Sequence, residues 1–434
     1  MVSNWRHGRW RHGRRYTLRR RLAEKHDPYA ALRIRDFLWL IASYAMSTVA
    51  REAQIVVVGW QVYDVTRDPL SLGMIGLAEA LPFIAVSLYA GHVADRTSRR
   101  GLVIAGTFGM LLSAIALLLF TLSGMIARGH VWPIYLVIFL SGIARSFTRP
   151  AFTALSADVV PRESFANAVT WRSSTWQLAA VIGPALGGLV YGFAGTEAAY
   201  AGVSAMMALS LVMLALVSHR GTPAAAADIP IGESLRIGIR FLFEQPVVLA
   251  AMTLDLFSVL FGGATALLPI FARLLHAGPE GLGILRAAPA VGSLITGLYL
   301  AHRRPMRRAG FALFTAVAIF GLSIIAFALS RSFVLSVAIL TISGMADNVS
   351  VVIRGTLVQT LTPPHLLGRV ASVNQIFIGS SNEIGAFESG VAARLLGTVP
   401  SVIFGGTMTL IVVAIVAWRA PKLRQMREIP VSEA

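Results

Sequence analysis

Apolar stretches alternate with short polar connections from about residue 36 to residue 418. A helix needs about 20 such residues to cross a ~30 Å hydrocarbon core. Twelve stretches qualify, at roughly 36–63, 71–94, 100–126, 131–157, 164–193, 197–218, 246–274, 281–302, 309–330, 333–357, 368–395 and 398–418. The third is the clearest, with no charged residue between Arg100 and Arg128. All are too long for barrel strands of about 10 residues. Backbone hydrogen bonding in lipid then leaves the helix, so the pattern predicts an all-α membrane protein.

The longest internal connection, 219–245, opens on Gly221-Thr-Pro-Ala and then changes character. Ile231, Leu235, Ile237, Ile239, Phe241 and Leu242 interleave with Glu233, Arg236, Arg240 and Glu244. This is the pattern of a helix lying on a membrane surface. It divides the spans six and six. The expected organisation is a basic arm over 1–35, a six-helix bundle over 36–218, a linker over 219–245, a second six-helix bundle over 246–418 and a tail over 419–434. That division predicts an internal repeat, two six-helix bundles related by a pseudo-two-fold.

Composition agrees with lipid exposure. The 434 residues are 56% hydrophobic and only 14% charged, against roughly 25% in soluble chains. The net charge of +17 would suggest nucleic acid in a soluble protein, but the arginines cluster at the ends of apolar segments. One set of connections carries Arg96, Arg99, Arg100, Arg162, His219, Arg220, Arg303, Arg304, Arg307, Arg308, Arg369, Arg419, Lys422, Arg424 and Arg427. The other set is short and poor in basic residues. This bias places both termini and the even-numbered connections in the cytoplasm. The arm, with Arg6, Arg9, Arg11, Arg14, Arg15, Arg19, Arg20 and Arg21, suits anionic lipid; a docking arm for RNA or a partner is the sharper alternative. Nucleic acid binding is not expected of the chain as a whole. There is no cysteine, which excludes disulfides and thiolate metal sites. No cleavable signal peptide is read in the polar, basic start.

The connection after the second span reads Gly91-His-Val-Ala-Asp95-Arg96-Thr-Ser-Arg99-Arg100. Arginines alone would mark topology; the acid Asp95 is not needed for that. Span five contains Gly183-Pro184-Ala-Leu-Gly187-Gly188, whose missing side chains permit close helix approach and a bend. The first run resembles the loop signature between the second and third helices of the major facilitator superfamily, with Ser98 replacing the second glycine. The second resembles a signature enriched among that superfamily's exporters. With Leu77-Ala-Glu79-Ala-Leu-Pro82 and the junction from Pro364 to Gly368-Arg369-Val, residues 28–425 are most similar to the bacterial enterobactin and macrolide exporter subgroup.

The resemblance implies a secondary transporter of the bacterial inner membrane. Gly91, Asp95, Arg96, Arg99, Arg100 and Asp158 are the candidate conformational latch: Arg96 or Arg99 would pair with Asp158, and Asp95 would meet the N-terminus of span eleven, where the helix dipole supplies about half a positive charge. The second copy has His302 rather than an acid at the corresponding place, so the latch is one-sided.

Charges inside a bilayer cost about 2.5–3.5 kcal/mol each on insertion scales and mark candidate sites. Glu52, Asp255, Asp347 and Glu383 are the proton-coupling candidates. Arg51, Glu79, Arg145 and Asn348 are the substrate-cavity candidates. Arg149, Arg172 and Arg354 lie nearer span ends, where snorkelling lowers the cost. Arg51 beside Glu52 leaves a structural ion pair open as an alternative. The superfamily places helices one, four, seven and ten around the cavity, and Glu52, Arg145, Asp255 and Asp347 fall on those four. A carboxylate desolvated in a cavity can carry a proton near neutral pH.

No Gly-x4-Gly-Lys-Ser/Thr loop, His-Glu-x-x-His pair or serine elbow occurs, so an ATP-driven pump and an enzyme are not expected. The expectation is proton-coupled export of a siderophore-like or drug-like molecule by alternating access. Its partners would be that small molecule, protons and anionic lipid, with no cofactor and no metal, and it would act as a monomer. An importer or lipid flippase of the same fold, and a membrane sensor or scaffold that does not transport, are the alternatives.

Overall fold

The computed structural model describes residues 27–126, 130–219, 231–303 and 308–426. Among them there is no strand. Spans one to four are Arg35–Thr66, Pro69–Arg96, Arg99–Leu122 and Trp132–Asp158. Spans five and six are two limbs of Phe165–Ala215, broken at Gly195 (φ 86°, ψ 176°), a left-handed conformation that suits glycine. They are therefore joined by one residue rather than by the short link expected between 193 and 197. Span seven differs more. The sequence pattern reads it as one helix over 246–274, but it is Pro246–Phe261, a short turn at Ala264–Leu267 and then Leu268–Leu274. Gly262 and Gly263 favour that interruption, and Pro269 restarts the helix at a position where its missing N–H costs nothing. Spans eight to twelve are Gly278–Ala301, Ala309–Leu329, Phe333–Leu361, Pro364–Leu396 and Thr398–Arg419.

The spans form two six-helix bundles whose packing repeats. In the first, span one packs on the joined spans five and six, span two on four, and span three on four and six. Adding six to each number gives the second: seven on eleven and twelve, eight on ten, and nine on ten and twelve. The principal contacts between halves, two with eleven and five with eight, map onto each other under the same shift.

Those contacts are unevenly distributed. A Cβ on Gly390 would lie 2.6 Å from the Gly73 Cα, and one on Gly188 would lie 2.5 Å from the Pro279 carbonyl and 2.9 Å from the Gly283 Cα. Both meetings are near the odd-numbered connections. Further along spans two and eleven, Gly91 and Gly368 meet nothing within 4 Å. Ion pairs reinforce the odd end: Arg273 of span seven contacts Asp64, and Arg394 of span eleven lies 3.6 Å from Asp68. The Arg273 guanidinium also covers the rings of Trp60 and Tyr63, at 5.2 and 5.8 Å from their centroids. The halves meet at the odd-connection end and part toward the other.

Two sequence expectations outside the bundles change. The amphipathic helix Ile231–Glu244 does not lie on lipid alone: its Phe241 and Leu242 are buried with Val248, Val370 and Val373 of the second half. Residues 27–34, expected as part of a free arm, fold back onto span five. Asn167 and Trp171 donate to the Pro28 carbonyl at 2.7 and 2.9 Å, and Asn167 accepts from the Ala31 N–H at 3.0 Å. The arm over 1–26 and the linker over 220–230 lie outside the described residues.

Candidate substrate and coupling site

Eight helical segments among the described residues meet strict length and hydropathy limits for a membrane span, the joined spans five and six counting as one. The spans outside that set are one, four and eleven, each of which carries charge within its length. Their charges converge. On span one, Arg51 Nη2 lies 2.6 Å from Glu52 Oε1, and Arg51 Nη1 lies 3.8 Å from Glu79 Oε1 of span two. Arg145 of span four contacts Glu79 directly and reaches Glu383 Oε1 of span eleven at 3.4 Å. The Arg145–Glu383 pair crosses between halves. Arg286 of span eight is within electrostatic reach of Glu52, Glu79 and Glu383. In a low-dielectric interior an unpaired charge is strongly disfavoured, which is why these side chains bind one another.

Small residues set the helices at this level. A Cβ on Gly183 would lie 2.6 Å from Glu52 Cβ, and one on Gly187 would lie 2.7 Å from the Ala53 carbonyl. The glycines of the Gly183-Pro184 motif thus press span five onto span one beside Glu52, while Gly188 and the Pro184 carbonyl meet Gly283 of span eight. A Cβ on Gly142 would lie 2.7 Å from the Pro82 ring, which fixes span four against span two one turn from Arg145 and Glu79. One on Gly76 would lie 2.8 Å from the Glu383 carbonyl. Close backbone approach carries each charged side chain to the shared cleft.

Asp255 and Asp347 are not part of this network. They lie inside the second half, where Asp255, 7% exposed, contacts Arg354, 5% exposed. Asp347, Ser258 and Ser350 line the same narrow cavity. This corrects two expectations. Arg354 does not snorkel to a span end but is buried against an acid of span seven. The four candidates on spans one, four, seven and ten do not share one cavity: Glu52 and Arg145 join the cleft network with Glu79 and Glu383, and the two aspartates form a separate site. Asn348 faces span eight, where a Cβ on Gly297 would lie 4.0 Å from its side-chain oxygen; that oxygen is buried and without a hydrogen-bond partner among the described residues.

Of the latch candidates, Arg99 holds Asp158 with its Nη1 at 2.6 and 2.5 Å from the two carboxylate oxygens. Both residues belong to the first half. Arg100 donates to the Ala215 carbonyl at 2.8 Å, and Arg96 is exposed. Ser98, which replaces the second glycine of the signature, has φ −59° and accepts from the Gly101 N–H at 3.2 Å. The turn needs no left-handed residue there, and serine caps span three. Gly91 lies in span two; the Asp95 side chain lies outside the described residues.

Sequence reasoning gave no role to Arg286, Arg273 or Arg394. A cation on the side poor in basic residues was the available signal for the last two.

A family model described as a transmembrane secretion effector matches residues 26–433. The enterobactin exporter EntS of Shigella boydii serotype 18 is 26% identical over 385 residues, which is 86% of this chain and 89% of the relative. EntS of Escherichia coli (strain SE11) matches to the same extent. Among solved structures, a POT family transporter in complex with thioalcohol conjugated peptide has a TM-score of 0.70 at 14% identity, covering 89% of this chain and 96% of that one. The nucleoside transporter NupG has a TM-score of 0.69 at 13% identity, covering 89% and 100%. The repeated six-helix bundles, the charged cleft between them and these likenesses agree: the chain is a multi-pass membrane transporter, not an enzyme, and belongs to the transmembrane secretion effector family of the major facilitator superfamily.

Proposed function

We propose that this transporter exports a siderophore-like or drug-like small molecule across the bacterial inner membrane in exchange for protons, by alternating access, with both termini in the cytoplasm. The observation that carries the reading is Arg145, which binds Glu79 of its own half and Glu383 of the other across the cleft. A proton on Glu383 removes the charge that holds Arg145 across that gap. The halves then separate more easily at this level, and the bound molecule is released as the proton enters. Each proton moving inward gains about 2.3 kcal/mol per 100 mV of membrane potential. Export rather than import is favoured by the exporter relatives. The cytoplasmic placement of the even connections rests on their arginines, and in that orientation the cleft opens to the cytoplasm.

The test is efflux from proteoliposomes loaded with enterobactin, the molecule named for the relatives, and with a panel of dyes. A proton gradient directed against efflux should accelerate it, and Glu383→Gln should leave only gradient-independent exchange. Efflux that ignores the gradient for every compound would overturn proton coupling, and absence of any movement would overturn transport of these classes.

A further inference from the structure

Two cleft arginines have no acid of their own. Arg149 of span four and Arg286 of span eight make no ion pair and no side-chain hydrogen bond among the described residues. They nevertheless share surroundings. Arg149 is within electrostatic reach of Arg51, Arg145, Tyr44 and Glu383, and Arg286 of Arg51, Glu52, Glu79 and Glu383. The three glutamates are already taken: Glu52 by Arg51, and Glu79 and Glu383 by Arg145. Arg172 of span five adds a further cation beside Tyr44. The cleft therefore holds more guanidinium than carboxylate, and the excess comes from both halves.

Water can solvate these charges while the cleft is open. Arg149 is exposed, one helical turn closer to the open end than Arg145, and Arg286 is half-buried. Closing that end would expel the water and bring like charges into a low-dielectric space, where an uncompensated cation is strongly disfavoured. A bound anion removes the obstacle. Guanidinium groups suit the task, because their planar donors bind carboxylate or phosphate in a bidentate manner. The Tyr44 ring, stacked on Phe152 at 4.6 Å between centroids, offers an apolar wall beside Arg149.

We propose that Arg149 and Arg286 are a substrate-binding pair, one from each half, that takes the anionic group of an amphipathic aromatic molecule, and that this anion permits the open end to close. The proposal rests on the transport reading above and names the substrate class for the same cleft. The anion acts by differential affinity: it binds the closed cleft better than the open one, and so shifts the population toward closure.

The test uses the full chain in nanodiscs of neutral lipid and two probes of the same shape, 1-naphthoate and neutral 1-naphthamide. Naphthoate should bind at least about tenfold more tightly, a ratio equal to ~1.4 kcal/mol. Arg149→Gln and Arg286→Gln should each abolish the difference, and Arg149→Lys, which keeps the charge, should restore part of it. Equal binding of both probes to the unaltered protein, or a preference that survives both glutamine variants, would overturn the proposal. Gradient-driven efflux of neutral or cationic dyes without any anion preference would overturn it while leaving the transport reading intact.

Discussion

At the residue scale, the buried Asp255–Arg354 pair has the clearest energetic consequence. Both side chains are nearly inaccessible, and Asp347 lines the same cavity, so removing Arg354 leaves Asp255 as an uncompensated charge beside a second acid, which costs about 3–5 kcal/mol. Arg354→Ala should therefore lower thermal stability in detergent sharply, and the double variant Asp255→Asn with Arg354→Gln should recover most of the loss. Equal stability of Arg354→Ala and the unaltered protein would show that the pair holds nothing. The sequence made Asp255 legible as an intramembrane acid but did not reveal its partner. Spacing along one helix reports which residues share its face; it does not report which face a neighbouring helix presents. Arg51 and Glu52 make the same point from the other side. Adjacent residues do not face each other on a helix, yet the long arginine side chain curls back to within 2.6 Å of Glu52.

At the scale of elements, glycine and proline decide how close the spans come. Gly188 sits where span five crosses span eight, and a Cβ there would meet backbone of Pro279 and Gly283 within 3 Å. Gly188→Leu should wedge the odd-connection end apart. The chain has no cysteine, so a single introduced one is a clean reporter. Ala272→Cys, fully buried in span seven near that end, should react with an impermeant maleimide about tenfold faster in the Gly188→Leu background, the ratio for ~1.4 kcal/mol of strain. Unchanged labelling would mean that the contact does not control opening. The sequence showed that the glycines of span five permit close packing, but not that one side serves span one and the other span eight. It also read span seven as continuous, because an apolar run looks alike whether or not a Gly262-Gly263 turn interrupts it.

At the scale of the whole molecule, the twelve spans and the six-plus-six repeat were legible, because lipid imposes a length and a hydropathy that local sequence carries. The conformation was not. It depends on contacts between halves that are far apart in the chain: Asp64 with Arg273 and Asp68 with Arg394. These pairs are partly exposed, and such pairs contribute about 0–1 kcal/mol each. Asp64→Asn combined with Asp68→Asn should therefore move the population toward opening at that end only a few-fold. Spin-label distances between spans one and seven would measure the shift. High salt should act in the same direction on the unaltered protein by screening the pairs. A distance distribution indifferent to both treatments would assign closure to the glycine seam alone.

The odd-numbered connections have a consequence beyond transport. Spans five and six are joined by Gly195 alone, spans eleven and twelve meet at Gly397, and only Arg67 and Asp68 separate spans one and two. In the proposed orientation, these short links lie on the face shown to the outside of the membrane. An antibody, a phage or an accessory protein approaching from there would find little to hold at these three links. An epitope tag inserted at Gly195 would have to separate two helices that share a single residue, and should cost expression that a tag in the longer connection between spans three and four does not.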